Sequence, residues 1–205
     1  MKLWHRIKSV LRAPKYLIKE WWAQQEVMYH NPGVYISFPS VFQFDDINAV
    51  LIAPDVCIGA FSEIVVLAKS ADSKTRGQLI IQERVFIGSH ANIRAAGGEI
   101  LIGRDTKIAQ QVSLIASNHV ISTKQTSGNL SWDETKTGII IGENVWIGAG
   151  TIVLPGCFIG NNSVIGAGSV VTKAVPANEL WAGIPAKKIR NLSNSDEREQ
   201  SYLTM

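Results

Sequence analysis

An aliphatic residue recurs every six positions over much of the chain, and this period restricts the possible folds more than any other feature of the sequence. Fifteen such positions carry only Ile, Leu or Val: Ile52, Ile58, Ile64, Ile81, Ile87, Ile93, Ile102, Ile108, Leu114, Ile141, Ile147, Val153, Ile159, Ile165 and Val171. A period of six matches neither the 3.6 of an amphipathic helix nor the simple alternation of a free hairpin. It is typical of a solenoid in which each hexapeptide forms one short strand and one corner, and three hexapeptides form a coil of about 18 residues.

The repeat also predicts the core and the interruptions of the coil. The recurring aliphatic is expected to point inward, and the residue four places on is small or β-branched. These residues include Val56, Ala91 and Ser163. The step from Ile81 to Ile102 exceeds one coil by three residues, which predicts a small bulge near Ala95–Glu99. The longer step from Leu114 to Ile141 predicts a loop that protrudes after Leu114.

The composition restricts the class of protein. The chain has 205 residues, of which 46% are hydrophobic and 18% charged, and this balance excludes a disordered polyelectrolyte and suits one domain. No run approaches 18 uninterrupted apolar residues, and the first residues alternate charged and apolar types, so neither a transmembrane helix nor a secretory signal is expected. Two cysteines are too few for a disulfide framework or a thiolate metal cage. We therefore predict a reduced, cytoplasmic protein.

The positive charge is concentrated at the N-terminus. Residues 1–30 hold six basic and two acidic residues, so their net charge is +4, whereas the rest of the chain carries −1. Nucleic-acid binding is not expected, because it favours basic residues clustered across the folded domain. The apolar residues of the segment follow helical spacing, and Pro14 is expected to break or restart the helix. Residues 1–28, with several tryptophans, predict either helices packed on the folded domain, which we favour, or peripheral contact with the inner face of the membrane.

Four features carry a resemblance to a known family. They are the repeats, the Ser-Asn-His sequence at Ser117–His119, the Asn-Val-Trp-Ile-Gly sequence within residues 142–173, and the Trp-Ala-Gly-Ile-Pro-Ala sequence within residues 181–190. Over roughly residues 50–190 the chain resembles the hexapeptide-repeat acyltransferases, in particular the galactoside and maltose O-acetyltransferases and the enzymes that decorate bacterial surface polysaccharides. The resemblance implies an all-β fold, a left-handed parallel β-helix, in a homotrimer. It also implies acetyl-CoA bound in the groove between subunits, with no metal required.

The resemblance implies that His119 is the catalytic base. Acetyl transfer from a thioester to a hydroxyl needs a group that accepts the hydroxyl proton, and a histidine, with an ordinary pKa of about 6.5, suits this role at neutral pH. His119 follows Leu114 by five residues, where the coil opens into the predicted loop 120–138. His90 stands three residues after Ile87, is expected to point outward, and is the next candidate.

The resemblance also implies a set of binding residues. Trp146 would pack near the pantetheine arm, small residues would let the arm approach the backbone, and basic residues would meet the nucleotide end. The implied cofactor-binding residues are Trp146, Ala149, Ala167, Thr172, Lys173, Lys187 and Arg190. Packing at a subunit contact is the alternative for Trp146, and a solvated surface charge is the alternative for each basic residue.

The acceptor side carries fewer signals. Asn92 resembles a substrate-facing asparagine of sugar O-acetyltransferases, and a capping role at a corner is the alternative. Residues 96–98 are Ala-Gly-Gly where the family carries an acidic acceptor ligand, which argues against a simple galactoside or maltose acceptor. Asp133 and Glu134 in the loop are expected either to contact a sugar or to keep the loop soluble.

The predicted function is acetyl-CoA-dependent O-acetyl transfer to a sugar or glycan precursor by direct transfer. An N-acetyltransferase acting on an amino sugar and a non-catalytic trimeric scaffold are the alternatives. A γ-type carbonic anhydrase would need three zinc-binding histidines, and the repeats contain only His90 and His119. The predicted domains are a helical segment over 1–30, the β-helix over 31–190 and a polar tail over 191–205.

Overall fold

One helix and a succession of short strands make up the computed structural model, which describes residues 2–70, 73–120 and 131–192 and, for residues 2–14, the backbone alone. The elements are α1 (Lys2–His30), β1 (Tyr35–Ile36), β2 (Val41–Phe44), a 3-10 turn (Ile47–Ala49), β3 (Val50–Ile52), β4 (Cys57–Ile58), β5 (Glu63–Leu67), β6 (Gln78–Ile81), β7 (Phe86–Ile87), β8 (Asn92–Ala96), β9 (Glu99–Ile102), β10 (Lys107–Ile108), β11 (Ser113–Ile115), β12 (Ile139–Ile141), β13 (Trp146–Ile147), β14 (Ile152–Val153), β15 (Cys157–Ile159), β16 (Val164–Ile165), β17 (Val170–Val171), β18 (Glu179–Ala182) and β19 (Lys187–Asn191).

The strands form three sheets that run along the solenoid. Sheet A has the order β1-β4-β7-β10-β13-β16-β18-β19, sheet B the order β2-β5-β8-β11-β14-β17, and sheet C the order β3-β6-β9-β12-β15. As far as β17, each strand thus pairs with the strand three places along the chain, whereas β16 pairs with β18. All pairs are parallel except for the final hairpin of β18 and β19. Since successive strands belong to different sheets, the chain winds as a coil. The predicted parallel β-helix is confirmed.

The repeat positions form the core. All fifteen aliphatic residues of the six-residue period are buried, with exposed fractions of 5% or less. Equivalent residues of neighbouring coils pair directly, as Ile87 does with Ile108 and Ile108 with Ile147. Burying one such side chain is worth about 1.5–3 kcal/mol, so the stack supplies most of the driving force for coiling. The small residues four places on are also buried.

The last turns of α1 cover the N-terminal end of the β-helix. Val27 is fully buried against the first coil. The Gln24 side-chain amide donates to the Ile36 carbonyl at 2.8 Å, and the Asn31 side-chain carbonyl accepts the Ile52 N–H at 2.7 Å. Strand edges expose unpaired backbone groups. These two side chains therefore satisfy part of the open edge at this end.

The prediction that Pro14 breaks the helix was wrong. Helix α1 is continuous from Lys2 to His30. Proline removes one backbone donor and strains the preceding turn, which kinks a helix without having to end it.

The middle of α1 is not covered by the β-helix. Residues 15–19 are exposed on every side of the helix, and large apolar side chains beyond them are exposed as well. The exposed large apolar residues of this segment are Tyr16, Leu17, Ile18, Trp21 and Trp22. In the described part of the chain, no helix is long and apolar enough to cross a membrane.

Extra residues interrupt the coils at three places. The predicted bulge is confirmed, because β8 ends at Ala96 and β9 begins at Glu99 with two glycines between them. A second insertion, over 68–77 between β5 and β6, was not predicted from the period. The third lies between β11 and β12, where residues 121–130 of the predicted loop fall outside the described residues. The predicted polar tail also lies outside them, except for residues 191 and 192.

Candidate active site

His119 lies where the chain leaves sheet B after β11, at the corner between sheets B and C. Residues 131–135, which we call the strap, return along it in the antiparallel direction. Two backbone hydrogen bonds hold this contact, from Val120 N to Ser131 O and from Asp133 N to Asn118 O, both at 2.9 Å.

The indole of Trp132 in the strap packs against the imidazole of His119. The ring centroids are 4.8 Å apart and the planes are inclined by 36°. Trp132 also contacts Gly97 of the bulge, where an added Cβ would lie 3.0 Å from two carbon atoms of the indole. The left-handed φ of +64° at Gly97 also favours glycine. The bulge therefore makes room for Trp132 beside His119.

The imidazole has one unused nitrogen in this arrangement. His119 Nδ1 is buried and has no hydrogen-bond partner in the described part of the chain. Buried polar atoms are normally paired, so an unpaired one is available to a substrate or to a second subunit.

The carboxylate of Glu134 forms hydrogen bonds within the chain, a contact that neither expectation for this residue included. Its carboxylate accepts the Lys74 N–H at 2.8 Å, the Thr75 hydroxyl at 2.6 Å and the Ser73 hydroxyl at 3.2 Å. The Thr75 hydroxyl and the Lys74 N–H are the main reasons that the pKa of Glu134 lies below its ordinary value. The strap is thereby tied to the 68–77 insertion.

The neighbouring carboxylate has a local role. Asp133 accepts hydrogen bonds from both the backbone N–H and the hydroxyl of Thr135, and these bonds lower its pKa. Asp133 therefore shapes the turn that follows Trp132.

A second feature lies at the opposite end of the strands of sheet B, at the corner between sheets A and B. Five stacked corner residues there have a left-handed φ, and they are Phe61, His90, Gln111, Gly150 and Gly168. The first two carry rings, which stack with centroids 5.1 Å apart, and His90 is exposed as predicted. An added Cβ at Gly150 or Gly168 would meet no atom within 4 Å. We call these two residues the glycine strip, because the corner is open there.

Three of the predicted cofactor residues lie beside the glycine strip. Trp146 points outward from sheet A on β13, is 47% exposed, and precedes Gly150 by four residues. Ala149 adjoins the strip, and its carbonyl accepts the Gly168 N–H at 2.8 Å. Ala167 is exposed in the next coil. The chain thus brings Trp146, Ala149 and Ala167 to one open corner.

The four other predicted cofactor residues lie at the C-terminal end of the β-helix. Thr172 and Lys173 are exposed after β17, and Lys187 and Arg190 are exposed on β19. The Lys173 ammonium lies 5.3 Å from the centroid of the Trp181 ring, a cation–π contact.

One ion pair at this end was not predicted. The Glu179 carboxylate accepts from the Lys188 ammonium at 2.6 Å and from the Trp181 indole N–H at 2.7 Å. Lys188 first and then Trp181 hold the pKa of Glu179 below its ordinary value. The alternation of side chains along β18 could have indicated this arrangement, because it places Glu179 and Trp181 on the same face of the strand.

The predicted acceptor residue is separated from the base. Asn92 points outward at the start of β8, and its Oδ1 is buried without a partner among the described residues. His119 lies beyond the other end of the same sheet. A strand of five residues spans about 17 Å. Within one copy, His119 therefore lies at one end of the strands of sheet B, whereas Asn92 and the glycine strip lie at the other end.

No metal centre is assembled in the described ranges, since no three His, Cys, Asp or Glu residues there lie close enough to hold an ion.

Comparison with known protein families identifies the type of the six-residue repeat. The family description "Bacterial transferase hexapeptide (six repeats)" matches residues 138–173, which run from the end of the strap region through β17. The chain carries bacterial transferase hexapeptide repeats. The resemblance inferred from the motifs is confirmed.

Curated relatives extend the match over part of their own length. WbbJ of Escherichia coli K12, named as a proposed lipopolysaccharide biosynthesis O-acetyl transferase, is 36% identical over 129 residues, which is 60% of this chain and 65% of WbbJ. Galactoside O-acetyltransferase of the same organism is 39% identical over 98 residues, 48% of this chain and 47% of that protein. The chain spans less than two thirds of the length of each relative.

Solved structures show the same fold. A mutant of AntD, an N-acyltransferase from Bacillus cereus, in complex with dTDP-4-amino-4,6-dideoxyglucose and coenzyme A, aligns with a TM-score of 0.69 at 21% identity over 88% of this chain and 95% of that chain. The hexapeptide-repeat fold is therefore the left-handed parallel β-helix that the resemblance implies.

Proposed function

We propose that the protein is an acetyl-CoA-dependent O-acetyltransferase that acts on a hydroxyl of a sugar or glycan precursor. The acceptor hydroxyl gives its proton to His119 as its oxygen attacks the thioester carbonyl carbon. A carbon–oxygen bond forms, the carbon–sulfur bond breaks, and the departing thiolate takes up the proton. The products are an acetyl ester and free CoA, with no covalent intermediate on the enzyme.

The surroundings of the His119 imidazole are the main support for this proposal. Its ring is held by an aromatic contact and a backbone bridge, whereas its buried Nδ1 has no polar partner in the described residues. A structural histidine would satisfy its ring nitrogens within the fold. An imidazole that is fixed in place and still has an unpaired nitrogen suits proton transfer.

The open corner supports acetyl-CoA as the donor. A thin pantetheine arm can approach the backbone at the glycine strip, where side chains are lacking. Trp146 beside the strip offers an apolar wall. The exposed Lys173, Lys187 and Arg190 at the C-terminal end of the solenoid suit the phosphates of the nucleotide part. Solved AntD structures contain coenzyme A on the same fold.

We propose a homotrimer, and the separation of these two features supports an assembly of more than one copy. In one copy, sheet B lies between His119 and the glycine strip, so a complete site needs His119 of one copy and the strip of the next. The outward face of sheet C offers a contact surface, because its central positions form a ladder of apolar residues. We call this ladder the sheet C stripe: Leu51, Ile80, Leu101, Ile140 and Phe158. Such a continuous apolar stripe is typical of a subunit interface.

The acceptor class rests on relatives and on Asn92. The relatives' names refer to O-acetyl transfer to galactosides and, as a proposal, in lipopolysaccharide biosynthesis. The buried, unpaired Oδ1 of Asn92 suits a sugar hydroxyl donor. The AntD complex with an amino sugar nucleotide supports N-acyl transfer as the second candidate.

A thiol-release assay tests the function. Purified protein is mixed with acetyl-CoA and a panel of sugars, amino sugars and nucleotide sugars, and free CoA is measured. Release that depends on a hydroxylated acceptor supports O-acetyl transfer, and release that requires an amine supports the second candidate. No release with any acceptor, together with no CoA binding by calorimetry, would identify a scaffold.

The Trp146→Ala variant should raise the KM for acetyl-CoA about tenfold or more, because burying an aromatic side chain against a ligand is worth about 1.5–3 kcal/mol. The KM for the acceptor should stay within twofold. Initial rates over a range of acetyl-CoA concentrations measure the effect. Phe86→Ala is the matched control, since Phe86 is exposed in the same outward column of sheet A but lies two coils away. An unchanged acetyl-CoA KM in Trp146→Ala contradicts the assignment.

We also propose that α1 brings this cytoplasmic enzyme to the inner face of the membrane. Two lysines, Lys15 and Lys19, alternate with exposed aromatic and aliphatic residues in the uncovered part of the helix. Helices of this composition bind the boundary between anionic head groups and acyl chains. An acceptor attached to a lipid would then be within reach.

Removing the exposed tryptophans by Trp21→Ser with Trp22→Ser should lower the bound fraction on phosphatidylglycerol vesicles about tenfold or more, because apolar burial supplies much of the affinity of an interfacial helix. Co-sedimentation measures it, and phosphatidylcholine vesicles give the uncharged reference. Phe61→Ser, which removes an exposed ring from the β-helix, should leave binding unchanged. If the wild-type protein stays in the supernatant with both vesicles, α1 packs on protein instead.

A further inference from the structure

We propose that Glu134 is a positioning residue, which holds Trp132 against His119 by tying the strap to residues 73–75; the proposal rests on the proposed catalytic role of His119. Nothing in the repeat pattern or in the comparisons assigns a role to Glu134.

The anchor is a carboxylate whose two oxygens are both engaged. Oε1 accepts the Lys74 N–H and the Ser73 hydroxyl, and Oε2 accepts the Thr75 hydroxyl. Hydrogen bonds to an ionised acceptor are shorter and stronger than neutral ones. Three donors from consecutive residues therefore fix the direction of the Glu134 side chain, and with it the strap.

The insertion that receives Glu134 is itself held to the β-helix. Asp45, which follows β2, accepts the Ala68 N–H at 2.7 Å and the Lys69 N–H at 3.0 Å. Asp45 thus fixes the base of the 68–77 insertion, and Glu134 binds farther along it. The strap is fastened to a segment that has its own attachment.

Within the strap, the anchored Glu134 lies close in sequence to Trp132, which contacts the imidazole of His119. Trp132 precedes Glu134 by two positions, and its indole contacts Gly97 and the ring of His119. Without the Glu134 bonds the strap would keep the backbone hydrogen bonds on either side of Trp132, but its far end would no longer be fixed, so the indole could shift against the imidazole. A displacement of about 1 Å at a reacting group can cost up to about 100-fold in rate.

A nuclear magnetic resonance measurement tests the positioning without depending on activity. The full-length protein is prepared with isotope-labelled histidine, and the signal of His119 is assigned by its loss in His119→Ala. The ring current of Trp132 should displace this signal, and Trp132→Ala gives the undisplaced reference. We expect Glu134→Ala to move the signal more than halfway to that reference. Glu134→Gln should keep most of the displacement, because a glutamine can still accept from Lys74 and donate to the Thr75 hydroxyl.

The matched control is Asp45→Ala, which removes a carboxylate from the base of the same insertion and touches neither the strap nor His119. The His119 signal should move much less in this variant than in Glu134→Ala, because the donors to Glu134 at residues 73–75 remain in place. Glu134→Ala should also lower kcat about tenfold while the KM for acetyl-CoA changes less than twofold.

Two results would overturn the proposal. The first is a His119 signal that does not move in Glu134→Ala, whether or not the protein has acetyltransferase activity. The second is an equal displacement in Asp45→Ala, which would mean that the insertion matters only for general stability. A failure of the proposed function alone gives a different result, in which the signal moves as expected but no acceptor releases CoA.

Discussion

Replacing His119 with alanine should lower kcat by about 10²–10⁴-fold, the usual cost of removing a positioned general base. Binding of CoA should change little, because Trp146, the glycine strip and the exposed basic residues, and not His119, are proposed to hold the cofactor.

The control for this variant is His30→Ala, which removes an exposed histidine of α1 whose ring N–H donates to the Glu26 carbonyl of its own helix. Steady-state kinetics and calorimetric titration with CoA separate the two effects. A kcat within about threefold of wild type in His119→Ala would mean that the imidazole is structural. His90, beside the glycine strip, would then be the next candidate.

Placing charges on the sheet C stripe by Ile140→Glu with Phe158→Glu should convert a trimer of about 67 kDa into a monomer of 22.4 kDa. Both side chains are exposed in the single chain, at 47% and 45%, and neighbour each other in the ladder. Forcing a carboxylate into an apolar contact costs several kcal/mol for each group, by order of magnitude. Light scattering measures the mass, and acetyltransferase activity should disappear with the trimer because the site would be incomplete.

The control places one glutamate on another face. Ile152→Glu lies outward on sheet B at 39% exposure, and it should leave the mass unchanged. Circular dichroism should show the same β content in all variants, since none of these side chains is in the core. A wild-type protein that is monomeric at micromolar concentration contradicts the proposed assembly.

The core could be predicted from the sequence because a solenoid repeats one local rule. Each coil buries an aliphatic residue against the coils before and after it, so a period of six identifies the inward positions without knowledge of distant contacts. Ile108 is buried because it follows Ile102 by six residues, and it pairs with Ile87 and Ile147 as the register requires. The outward position of His90 follows from the same rule.

The contacts around His119 could not be predicted in this way, because they join insertions that do not repeat. Glu134 binds residues about 60 positions earlier in the chain, in an insertion that the period passes over. The packing of Trp132 against His119 and Gly97 depends on the path of two separate interruptions. Only the glycine pair in the bulge gave a local signal, since it marks a place where another group approaches the backbone closely.

The path of α1 was mispredicted for a different reason. The local effect of Pro14 is unfavourable to a helix, but the helix continues on both sides of it. Local propensity is a weak guide where neighbouring segments favour helix and one end is fixed by tertiary contacts.

The two amides at the end of α1 have a consequence for how copies of this chain can associate. A parallel β-helix grows by laying one coil on the next, and an uncovered end coil offers the same template to another molecule. Gln24 and Asn31 occupy backbone groups of the first coils with side chains that cannot extend a sheet. Helix α1 therefore disfavours end-to-end polymerisation at this end of the solenoid. Association through the sides of the solenoid, where the sheet C stripe lies, is not hindered by the helix.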